Sequence, residues 1–443
     1  MVLAKTRKKA LVGTRTKEEA VSVIGLGYVG LPLLCLCAEK EYRCFGIDIS
    51  PSKIESLKRG KCTFHDNNIQ KMLDNVEFTA TTDFQVIHDT PIVIVCVPTP
   101  VDRNSEPDYR PIKSACEAIR LYLRRGHLII IESTINPGAC EEFIQPILEK
   151  SGLRAGADFH IAHCPERIDP GNGKWSVRNI PRVLGSTSPE GLHRALAFYL
   201  SILEAQVIPM KSIDEAAATK IVENTFRDIN IAFVNELAKS FANMGIDVTE
   251  VIKAASTKPY AFLPHYPGCG VGGDCIPVSP RYLIRQAGKC GFEHKLVKLG
   301  REINESMPSY TVNLLLEELK RLKNTNGGSN RRANIGILGL AYKANVGDTR
   351  ESPAYKIIEL LKAAEANLYV YDPFVVEESN VKSLDALLDK SEALILVTQH
   401  QEFVNMDLGK LKDNGIKLVI DGRNCLDKDR IRKLGIVYRG IGR

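Results

Sequence analysis

No apolar run in this 443-residue chain approaches the roughly 18 residues that a membrane-spanning helix needs. The longest apolar stretches, PIVIVCVP and HLIII, have the length of buried strands instead. Residues 1–18 are basic but lack the continuous apolar core of a signal peptide. We therefore expect them to form a solvated, disordered tail, with binding of an anionic partner as the alternative.

Pairs of CxxC knuckles are also missing, although the chain has twelve cysteines. Cys35, Cys37, Cys44 and Cys96 lie in apolar patterns, where a thiol behaves as a small hydrophobic group. This placement argues against both a zinc finger and a disulfide framework. We expect no metal site, and a reducing, cytoplasmic environment in which most thiols are buried and inert.

The composition describes an ordinary globular protein, with 44% hydrophobic and 25% charged residues. The length predicts two or three domains. The formal net charge of +6 is mild, and we expect neither a nucleic-acid nor a membrane partner.

The stretch AVSVIGLGYVGLPLLCLCAEKEYRCFGIDIS is typical of strand, tight turn, helix and strand. Gly25, Gly27 and Gly30 form a G-x-G-x-x-G motif, which permits a tight turn, close approach of a pyrophosphate and tight helix packing. Asp48 ends the second strand, where a carboxylate accepts a hydrogen bond from a ribose 2′-hydroxyl and favours NAD over NADP. The alternative is a glycine-rich turn that binds no ligand.

Further strands, VEFTATTD, PIVIVCVP, HLIIIEST and DFHIAHCPE, follow, with helical patterns between the middle ones. This alternation predicts a doubly wound α/β sheet, in which ligands bind at the carboxyl ends of the strands. The candidates at those ends are Pro98–Thr99–Pro100, Ser133–Thr134 and Pro165–Glu166–Arg167. Ordinary turn chemistry is the alternative explanation for each group.

Residues 214–244 are predicted to form one long helix that stops at Gly245. It carries an apolar seam, made of Val222, Phe226, Ile229, Phe233 and Leu237, and a polar stripe, made of Lys220, Asn224 and Arg227. The two stripes face apart, and a helix that joins two domains can bury both. A solvated polar face is the alternative.

A polar segment, residues 324–332, resembles a linker, and a second strand–glycine turn–helix–strand unit follows it. The fold prediction is therefore α/β, with two Rossmann-like doubly wound domains joined by a long central helix region. The predicted parts are the tail 1–18, an NAD-binding domain at 19–212, a central helical domain at 213–323, the linker 324–332 and a second Rossmann-like, nucleotide-binding domain at 333–443. Such an arrangement suggests two nucleotide ligands that meet across a cleft.

The stretch PGCGVGGDCIPVSPRYL places Cys275 among glycines and shortly before a predicted helix. Ser279 is expected to cap that helix, with Pro280 at its first position. The positive end of the helix favours a thiolate, and a thiolate beside NAD can attack an aldehyde. The resulting thiohemiacetal loses a hydride to become a thioester, which water hydrolyses. A buried structural thiol is the alternative.

From about residue 19 onward the chain resembles the UDP-glucose/GDP-mannose dehydrogenase superfamily. The resemblance rests on VIGLGYVGLPL, CVPTP, EST..PG, PERIDPGN, KIVENTFRDINIAFVNE, PGCGVGGDCIP, GLAYKANVGDTRESPA and DGRN, in this order. It implies oxidation of a sugar C6 alcohol to a carboxylate with two NAD and no metal. It also implies that the domain at 333–443 binds the UDP-sugar, and that the central domain at 213–323 is a dimerisation domain whose long helix forms a homodimer. Three phrases, ENTFRDINIAFVNE, RIDPGN and GVGG.CIP, are most similar to the branch that acts on UDP-N-acetylmannosamine or UDP-N-acetylglucosamine.

The resemblance also implies roles for individual residues. The catalytic set is Cys275 as nucleophile, Lys220 and Asn224 at the oxyanion, and Glu166 and Thr134 for water and protons. The cofactor-binding set is Gly25, Gly27, Tyr28, Val29, Gly30, Asp48, Lys53, Pro98, Thr99, Thr134 and Arg350. The substrate-binding set is Glu166, Arg167, Lys220, Asn224, Arg227, Tyr266, Gly268, Gly272, Gly273, Lys343 and Arg423. Within these sets Lys343 is expected at the UDP phosphates, Arg350 at the cofactor pyrophosphate and Arg227 at the N-acetylated sugar.

Two positions depart from the family pattern. Asp274 stands where the branch usually has His, and Ser279 stands where family members usually have an Asp that helps to activate the thiol or water. A serine hydroxyl cannot act as a carboxylate base at neutral pH. Either the base has moved, to Asp274 or Glu166, or the second half-reaction is impaired.

Three other functions are compatible with parts of the sequence. A UDP-glucose 6-dehydrogenase would share every motif, and a two-electron hydroxyacid-type dehydrogenase would share one Rossmann half and the long helix. A catalytically silent sugar-nucleotide binder would explain Ser279, although the intact Cys275, Lys220 and Asn224 argue against it.

Overall fold

A computed structural model describes residues 19–64, 66–102, 107–168, 174–326 and 332–443. The predicted tail 1–18 lies outside the described residues, as do residues 327–331 of the predicted linker. The described chain forms two compact units, which are taken in turn below. One contains the described residues from 19 to 223 with residues 281–290, and the other contains residues 224–280 and the described residues from 291 to 443.

The first unit is built on a mainly parallel sheet. Its strands are β1 (Ala20–Ile24), β2 (Arg43–Ile47), β3 (Thr79–Thr81), β4 (Ile92–Val95), β5 (Leu128–Ile131), β6 (His160–His163), β7 (Arg182–Ser186) and β8 (Val207–Pro209). In the described residues they follow the order β3-β2-β1-β4-β5-β6-β7-β8, and the pair β6–β7 is antiparallel. The order 3-2-1-4-5-6 within this series is that of a dinucleotide-binding Rossmann fold.

Helices cover this sheet. They are α1 (Gly30–Glu39), α2 (Pro51–Lys58), α3 (Asn67–Leu73), α4 (Arg110–Arg120), α5 (Gln145–Glu149) and α6 (Pro189–Ile202), with a 3₁₀ turn at Phe84–Asp89 and a π turn at Cys140–Ile144. The central strands β1, β4 and β5 are almost entirely apolar and buried along their whole length, as expected for parallel strands covered on both faces. Val23, Ile94 and Ile130 are among the residues at the core of the sheet.

The strand register brings the predicted site segments to one edge. Ile24 pairs with Ile47 and with Val95, and Ile131 pairs with Val95 and with His163. The residues that follow these strands therefore start at the same level of the sheet. This edge is the place where ligands bind in open α/β sheets.

The long helix α7 runs over Ile213–Met244, as the sequence predicted, and Gly245 follows it with a φ of +72°. The chain passes from the first unit to the second within this helix. The helices α8 (Val248–Ala255), α9 (Ser279–Lys289), α10 (Lys295–Glu305) and α11 (Met307–Asn326) follow. Helix α11 therefore extends into the first residues of the predicted linker.

The second unit carries its own parallel sheet. Its strands are β9 (Asn334–Leu338), β10 (Asn367–Tyr371), β11 (Ala393–Leu396), β12 (Leu418–Asp421) and β13 (Val437–Gly440), in the order β10-β9-β11-β12-β13 within the described chain. The helices are α12 (Pro353–Ala363), α13 (Leu384–Lys390), α14 (Gln401–Val404), α15 (Gly409–Asp413) and α16 (Lys428–Lys433), with a 3₁₀ turn at Val376–Glu378. This order corresponds to 2-1-3-4-5, the other common doubly wound arrangement.

The predicted fold class is confirmed: two Rossmann-type α/β parts are joined through a long helix. The prediction of unpaired thiols also agrees with the structure, which describes all twelve cysteines as free, with Cys275 and Cys290 exposed. Across the described ranges, none of the helices is both long and apolar enough to span a bilayer.

Ser–Pro pairs begin three of the helices. Ser50, Ser188 and Ser352 each accept a hydrogen bond from a backbone N–H of the first turn, with proline next in the chain. The same pattern led us to expect Ser279 to cap α9, and this prediction is wrong by one residue. Helix α9 already includes Ser279, because its N–H donates to the carbonyl of Cys275 at 3.0 Å.

Candidate active site

The first unit places the glycine turn at the shared strand edge. The N–H of Gly25 donates to the carbonyl of Ile47 at 2.8 Å, which ties the turn between β1 and α1 to the end of β2. Gly25 has a φ of +91°, a backbone angle that residues other than glycine rarely adopt. A Cβ on Gly27 would meet no heavy atom within 4 Å, so the turn leaves open space there. Such a space next to the start of α1 fits a pyrophosphate.

Asp48 lies beside this turn. Its carboxylate accepts hydrogen bonds from the N–H of Leu26 at 2.9 Å, from the N–H of Ser50 at 3.0 Å and from Nζ of Lys53 at 2.6 Å. Burial alone would raise the pKa of Asp48, but Lys53 and the two N–H groups lower it by stabilising the charged form. An ionised carboxylate accepts about four hydrogen bonds, so Asp48 retains capacity for a ribose hydroxyl. These residues therefore fit the adenosine end of NAD.

The neighbouring cofactor candidates lie on the same side of this unit. The ring of Tyr28 packs on that of Phe64 with centroids 4.0 Å apart. The hydroxyl of Tyr282, from α9, donates to the carbonyl of Thr99 at 2.7 Å and so ties the loop after β4 to α9. Thr134 is half-buried directly after β5, next to Ser133, whose hydroxyl donates to the carbonyl of Val97 at 2.7 Å.

A buried acid–base cluster lies at the ends of β5 and β6. Glu132 is 1% exposed and accepts a hydrogen bond from the hydroxyl of Tyr199 at 2.6 Å. It also forms an ion pair with Arg182 at 3.2 Å. The N–H of Glu166 donates to the main-chain carbonyl of Glu132 at 3.4 Å, which sets the carboxylate of Glu166 beside this pair.

Removal from water raises the pKa of Glu166 to about 7, although the positive charges of Lys220 and Arg182 oppose the shift. Lys220 itself is 7% exposed. A carboxyl group that titrates near neutral pH beside a buried ammonium group can exchange protons at the pH of the cell.

The thiol loop, residues 267–275, lies in the second unit. Cys275 is exposed and its Sγ donates to Oδ1 of Asp274 at 3.3 Å. A Cβ on Gly272 would lie 2.6 Å from Cβ of Tyr342, and one on Gly273 would lie 3.0 Å from the ring of Tyr342. Packing of the thiol loop against Tyr342 therefore requires glycine at both positions, whose assignment to the substrate stays a prediction.

Arg350 connects the thiol loop to the segment between β9 and α12. Its guanidinium forms an ion pair with Asp274 and a second, bidentate pair with Asp348. Its main-chain carbonyl accepts the N–H of Gly273 at 2.9 Å. Arg350 was predicted to bind the cofactor pyrophosphate. It also pairs with Asp274, whose carboxylate accepts the hydrogen bond from the thiol of Cys275.

Arg423 lies at the other end of the thiol loop. Its Nε donates to the carbonyl of Val397 at 2.7 Å, and a Cβ on Gly268 would lie 2.9 Å from its Nη1. The N–H of Gly268 donates to Oδ1 of Asn235 at 3.0 Å. Among the predicted substrate residues of this unit, Gly268 therefore lies next to Arg423. Gly272 and Gly273 lie next to Tyr342, in the segment that carries Lys343.

Helix α7 reverses one expectation about its two stripes. Val222, Phe226 and Phe233 of the apolar seam are 57%, 47% and 53% exposed, whereas Lys220 and Asn224 are 7% and 5% exposed. The solvated-face alternative for Lys220 and Asn224 is thus wrong, and the expectation that both stripes are buried fails for the apolar one.

The polar stripe also continues differently from the prediction. Arg227 is exposed, and the buried positions are Asp228 and Asn235. Asp228 pairs with Arg301 at 2.7 Å and accepts from Asn304, which in turn accepts from Asn235 at 2.9 Å. This network holds Asn235, and through it Gly268 of the thiol loop. Sequence analysis missed this network, although Asp228 and Asn235 follow Lys220 and Asn224 at helical spacing along α7.

The amide of Asn224 donates to the hydroxyl of Ser279 at 2.9 Å, and Ser279 is 1% exposed. Arg167, a predicted substrate residue, forms an ion pair with Glu223 at 2.5 Å and donates to the carbonyl of Pro181 at 2.9 Å. Tyr266 is 49% exposed and Lys343 is half-buried.

Within the described residues, no group of three or more His, Cys, Asp or Glu is placed to hold a metal ion.

Comparisons with known proteins show which family the chain is part of. Three sequence models of the UDP-glucose/GDP-mannose dehydrogenase family match the chain in order: the NAD binding domain at residues 19–203, the central domain at 214–306 and the UDP binding domain at 336–428. The chain belongs to the UDP-glucose/GDP-mannose dehydrogenase family. The prediction of NAD as cofactor is confirmed by the domain that contains the glycine turn and Asp48.

Relatives of this dehydrogenase align over nearly its whole length. A UDP-N-acetyl-D-mannosamine dehydrogenase of Pyrococcus horikoshii is 33% identical, over 96% of this chain and 99% of its own. A UDP-N-acetyl-D-glucosamine 6-dehydrogenase of Pseudomonas aeruginosa is 35% identical, over 94% and 99%. A solved structure of UDP-D-ManNAc dehydrogenase from Pyrococcus horikoshii superposes with a TM-score of 0.89 at 33% identity, over 96% and 99% of the two chains.

Proposed function

We propose that this dehydrogenase oxidises the C6 hydroxyl of a UDP-N-acetylhexosamine, UDP-N-acetylmannosamine or UDP-N-acetylglucosamine, to a carboxylate through a thioester on Cys275. The observation that carries the proposal is the exposed Cys275 at the start of α9, in a loop that packs against the segment of Lys343. The substrates named for the two aligned relatives support the choice of sugar.

In this proposal the second unit holds the sugar nucleotide. Lys343 binds the UDP phosphates from the segment after β9, and Arg423 binds the nucleotide from the segment after β12. Leu338 and Leu396 end their strands at the same level, as do Leu396 and Asp421. Both basic residues therefore follow the carboxyl ends of strands, the expected ligand side of such a sheet.

The glycine turn and Asp48 would hold NAD, which would supply the hydride acceptor for each of the two oxidations at C6. Glu166 takes the proton of the C6 hydroxyl in the first oxidation and releases it to solvent before the hydrolysis step. Lys220 and Asn224 lie one helical turn apart on α7 and stabilise the negative charge that develops on the C6 oxygen. A preorganised donor of this kind contributes roughly 10²–10³ in rate. The sulfur of Cys275 then adds to the aldehyde carbon and forms a C–S bond, and the carbonyl oxygen becomes the thiohemiacetal oxygen.

Asp274 takes the proton that Cys275 loses in this addition, because its Oδ1 already accepts the Sγ–H at 3.3 Å. Ser279 cannot replace the usual aspartate, since its hydroxyl is buried and bonded by Asn224. The second hydride loss converts the thiohemiacetal into the thioester. Glu166 then removes a proton from the attacking water, the C–S bond breaks, and the thiol is released together with the carboxylate.

The test counts NADH formed per sugar consumed, with UDP-N-acetylmannosamine, UDP-N-acetylglucosamine and UDP-glucose as substrates. Two NADH per N-acetylhexosamine are expected, with UDP-glucose oxidised much more slowly. Cys275→Ala is expected to stop formation of the uronate, whereas Cys290→Ala, at the other exposed cysteine, is the matched control with normal turnover. One NADH per sugar, or full activity of Cys275→Ala, would support a two-electron dehydrogenase; binding without NADH would support a silent sugar-nucleotide binder.

We further propose a homodimer that buries the apolar seam of α7. Phe226 and Phe233 are half exposed on this helix, and Leu263, in the same unit, is 64% exposed. Burying one such side chain contributes about 1.5–3 kcal/mol. Light scattering should show a dimer for the wild type and a monomer for Phe226→Glu with Phe233→Glu. Leu121→Glu, at another exposed leucine, is the control that should leave the dimer intact.

The domain boundaries at 19–212, 213–323 and 333–443 remain part of this proposal, as does a cytoplasmic location. The location is supported by the twelve free cysteines, which suit a reducing compartment.

A further inference from the structure

We infer that His400 is a positioning residue of the UDP site, which holds the segment of Lys343 in place through the main-chain N–H of Asn345. The inference rests on the proposed function, because Lys343 is assigned there to the UDP phosphates. His400 itself is 0% exposed, and its side chain contacts protein groups: Asp372, Asn345 and the neighbouring aromatic rings. Its role would be to set the position of another residue.

His400 lies at the switch point of the second sheet, between β9 and β11. Its Nε2 lies 3.0 Å from Oδ2 of Asp372, and the N–H of Asn345 donates to its Nδ1 at 2.9 Å. The ring of Phe374 stacks on the imidazole with centroids 5.0 Å apart and planes inclined by 25°. The imidazole is thus held by contacts on two edges and on one face.

These contacts determine the tautomer. A backbone N–H is only a donor, so Nδ1 must be the acceptor and the proton must lie on Nε2. The Nε2–H then donates to the carboxylate of Asp372, which is 0% exposed and also accepts the N–H groups of Leu340 and Ala341. Burial would raise the pKa of Asp372, but His400 and these N–H groups lower it, which keeps the acceptor charged.

The segment after β9 depends on this anchor. It leaves the strand at Gly339, with a φ of +100°, and Asn345 has a φ of +58°, a left-handed backbone state that asparagine tolerates better than most residues do. The side chain of Asn345 also accepts the N–H of Gln401 at 3.0 Å. Lys343 lies between the end fixed by Asp372 and the end fixed by His400. Loss of either anchor would therefore displace its ammonium group.

Two substitutions separate the two hydrogen bonds of His400. The amide nitrogen of His400→Gln reaches the position of Nε2 and keeps the donor for Asp372, but it leaves the N–H of Asn345 without an acceptor. The amide oxygen of His400→Asn reaches the position of Nδ1 and keeps that acceptor, but it leaves Asp372 without its donor. Ser391→Ala, which removes a buried hydrogen bond to the carbonyl of Leu387 near the start of β11, controls for general loss of stability.

The experiment titrates UDP and, separately, NAD into the full-length wild type and the three variants, and measures KM and kcat for the UDP-sugar. His400→Gln is expected to weaken UDP binding and raise KM about tenfold or more, with kcat and NAD binding near wild-type values. His400→Asn and Ser391→Ala are expected to bind UDP within about twofold of the wild type. Lys343→Met gives the size of the effect when the phosphate contact itself is lost.

Hydrogen exchange of the segment 340–350 provides a readout that does not depend on UDP. The amide of Asn345 should be protected in the ligand-free wild type and exchange faster in His400→Gln. Wild-type affinity for UDP in a folded His400→Gln, an unprotected Asn345 amide in the wild type, or equal weakening by all three substitutions would each overturn the inference. A wild type that binds no UDP would instead overturn the proposed function, and the exchange of Asn345 would still report whether the anchor exists.

Discussion

Replacing Gly27 with alanine should separate binding of NAD from stability of the fold. The structure leaves no heavy atom within 4 Å of a Cβ built at this position. The backbone of Gly27 also lies outside the left-handed region occupied by Gly25. An added methyl group therefore meets only the space that the pyrophosphate of NAD is proposed to fill.

The expected magnitudes follow from this geometry. The unfolding free energy of Gly27→Ala should stay within about 1 kcal/mol of the wild type or rise slightly, because alanine restricts the unfolded chain. The Kd for NAD should rise at least tenfold, which corresponds to about 1.4 kcal/mol. Gly30→Ala offers the contrast, since its Cβ would lie 2.0 Å from the carbonyl oxygen of Gly25. Overpacking of this severity should cost about 3 kcal/mol or more of stability.

The assay combines calorimetric titration of NAD with thermal unfolding. Gly288→Ala is the matched control, since a Cβ there also meets nothing within 4 Å and the residue lies in helix α9. It should raise stability slightly and leave NAD binding unchanged. If Gly27→Ala binds NAD as tightly as the wild type does, the pyrophosphate does not approach this turn and the assignment of the cofactor site is wrong.

Three further predictions concern the charged groups around the reaction. Because Glu166 must be ionised to accept a proton and its pKa is raised to about 7, thioester hydrolysis should slow about tenfold per pH unit below 7 and level off above it. Glu166→Gln should lose this dependence, so a stopped-flow pH profile in which its hydrolysis rate still falls below pH 7 would contradict the assignment of Glu166 as the base. Glu132→Gln leaves the buried guanidinium of Arg182 without its ion pair and should cost about 3–5 kcal/mol in chemical denaturation, so a loss under 1 kcal/mol would argue against a buried pair. Asp274→Asn keeps a hydrogen-bond acceptor but cannot take the thiol proton, and should slow formation of the thioester roughly 10²-fold or more in single-turnover measurements, with an unchanged rate counting against this role.

Local patterns explain how much of the architecture was predictable. Short apolar runs bounded by glycine, proline or polar residues predicted β1, β2, β4, β5 and β6, and the glycine turn with Asp48 predicted the dinucleotide edge. These features depend on residues close together in the chain. The full-length resemblance added the family, which the matched family models confirm.

Contacts between distant residues were not predictable in the same way. Nothing near Asp274 in the chain indicates Arg350, and nothing near His400 indicates Asp372. The wrong prediction that Ser279 caps helix α9 has the same origin. The Ser–Pro pattern is a local capping signal, but the hydroxyl of Ser279 accepts a hydrogen bond from the distant residue Asn224.

The parallel α/β sheets, the glycine turn at Gly25 and the length of helix α7 could be predicted from the amino acids alone, because strand length, glycine placement and helical period act over a few residues. Three other features became known from the folded chain: the buried stripe of α7, the carboxylate that accepts the thiol of Cys275, and the imidazole that accepts the N–H of Asn345. The physical reason is that burial and charge pairing depend on which elements pack together, and a helix or loop carries the same residues whichever neighbour covers it.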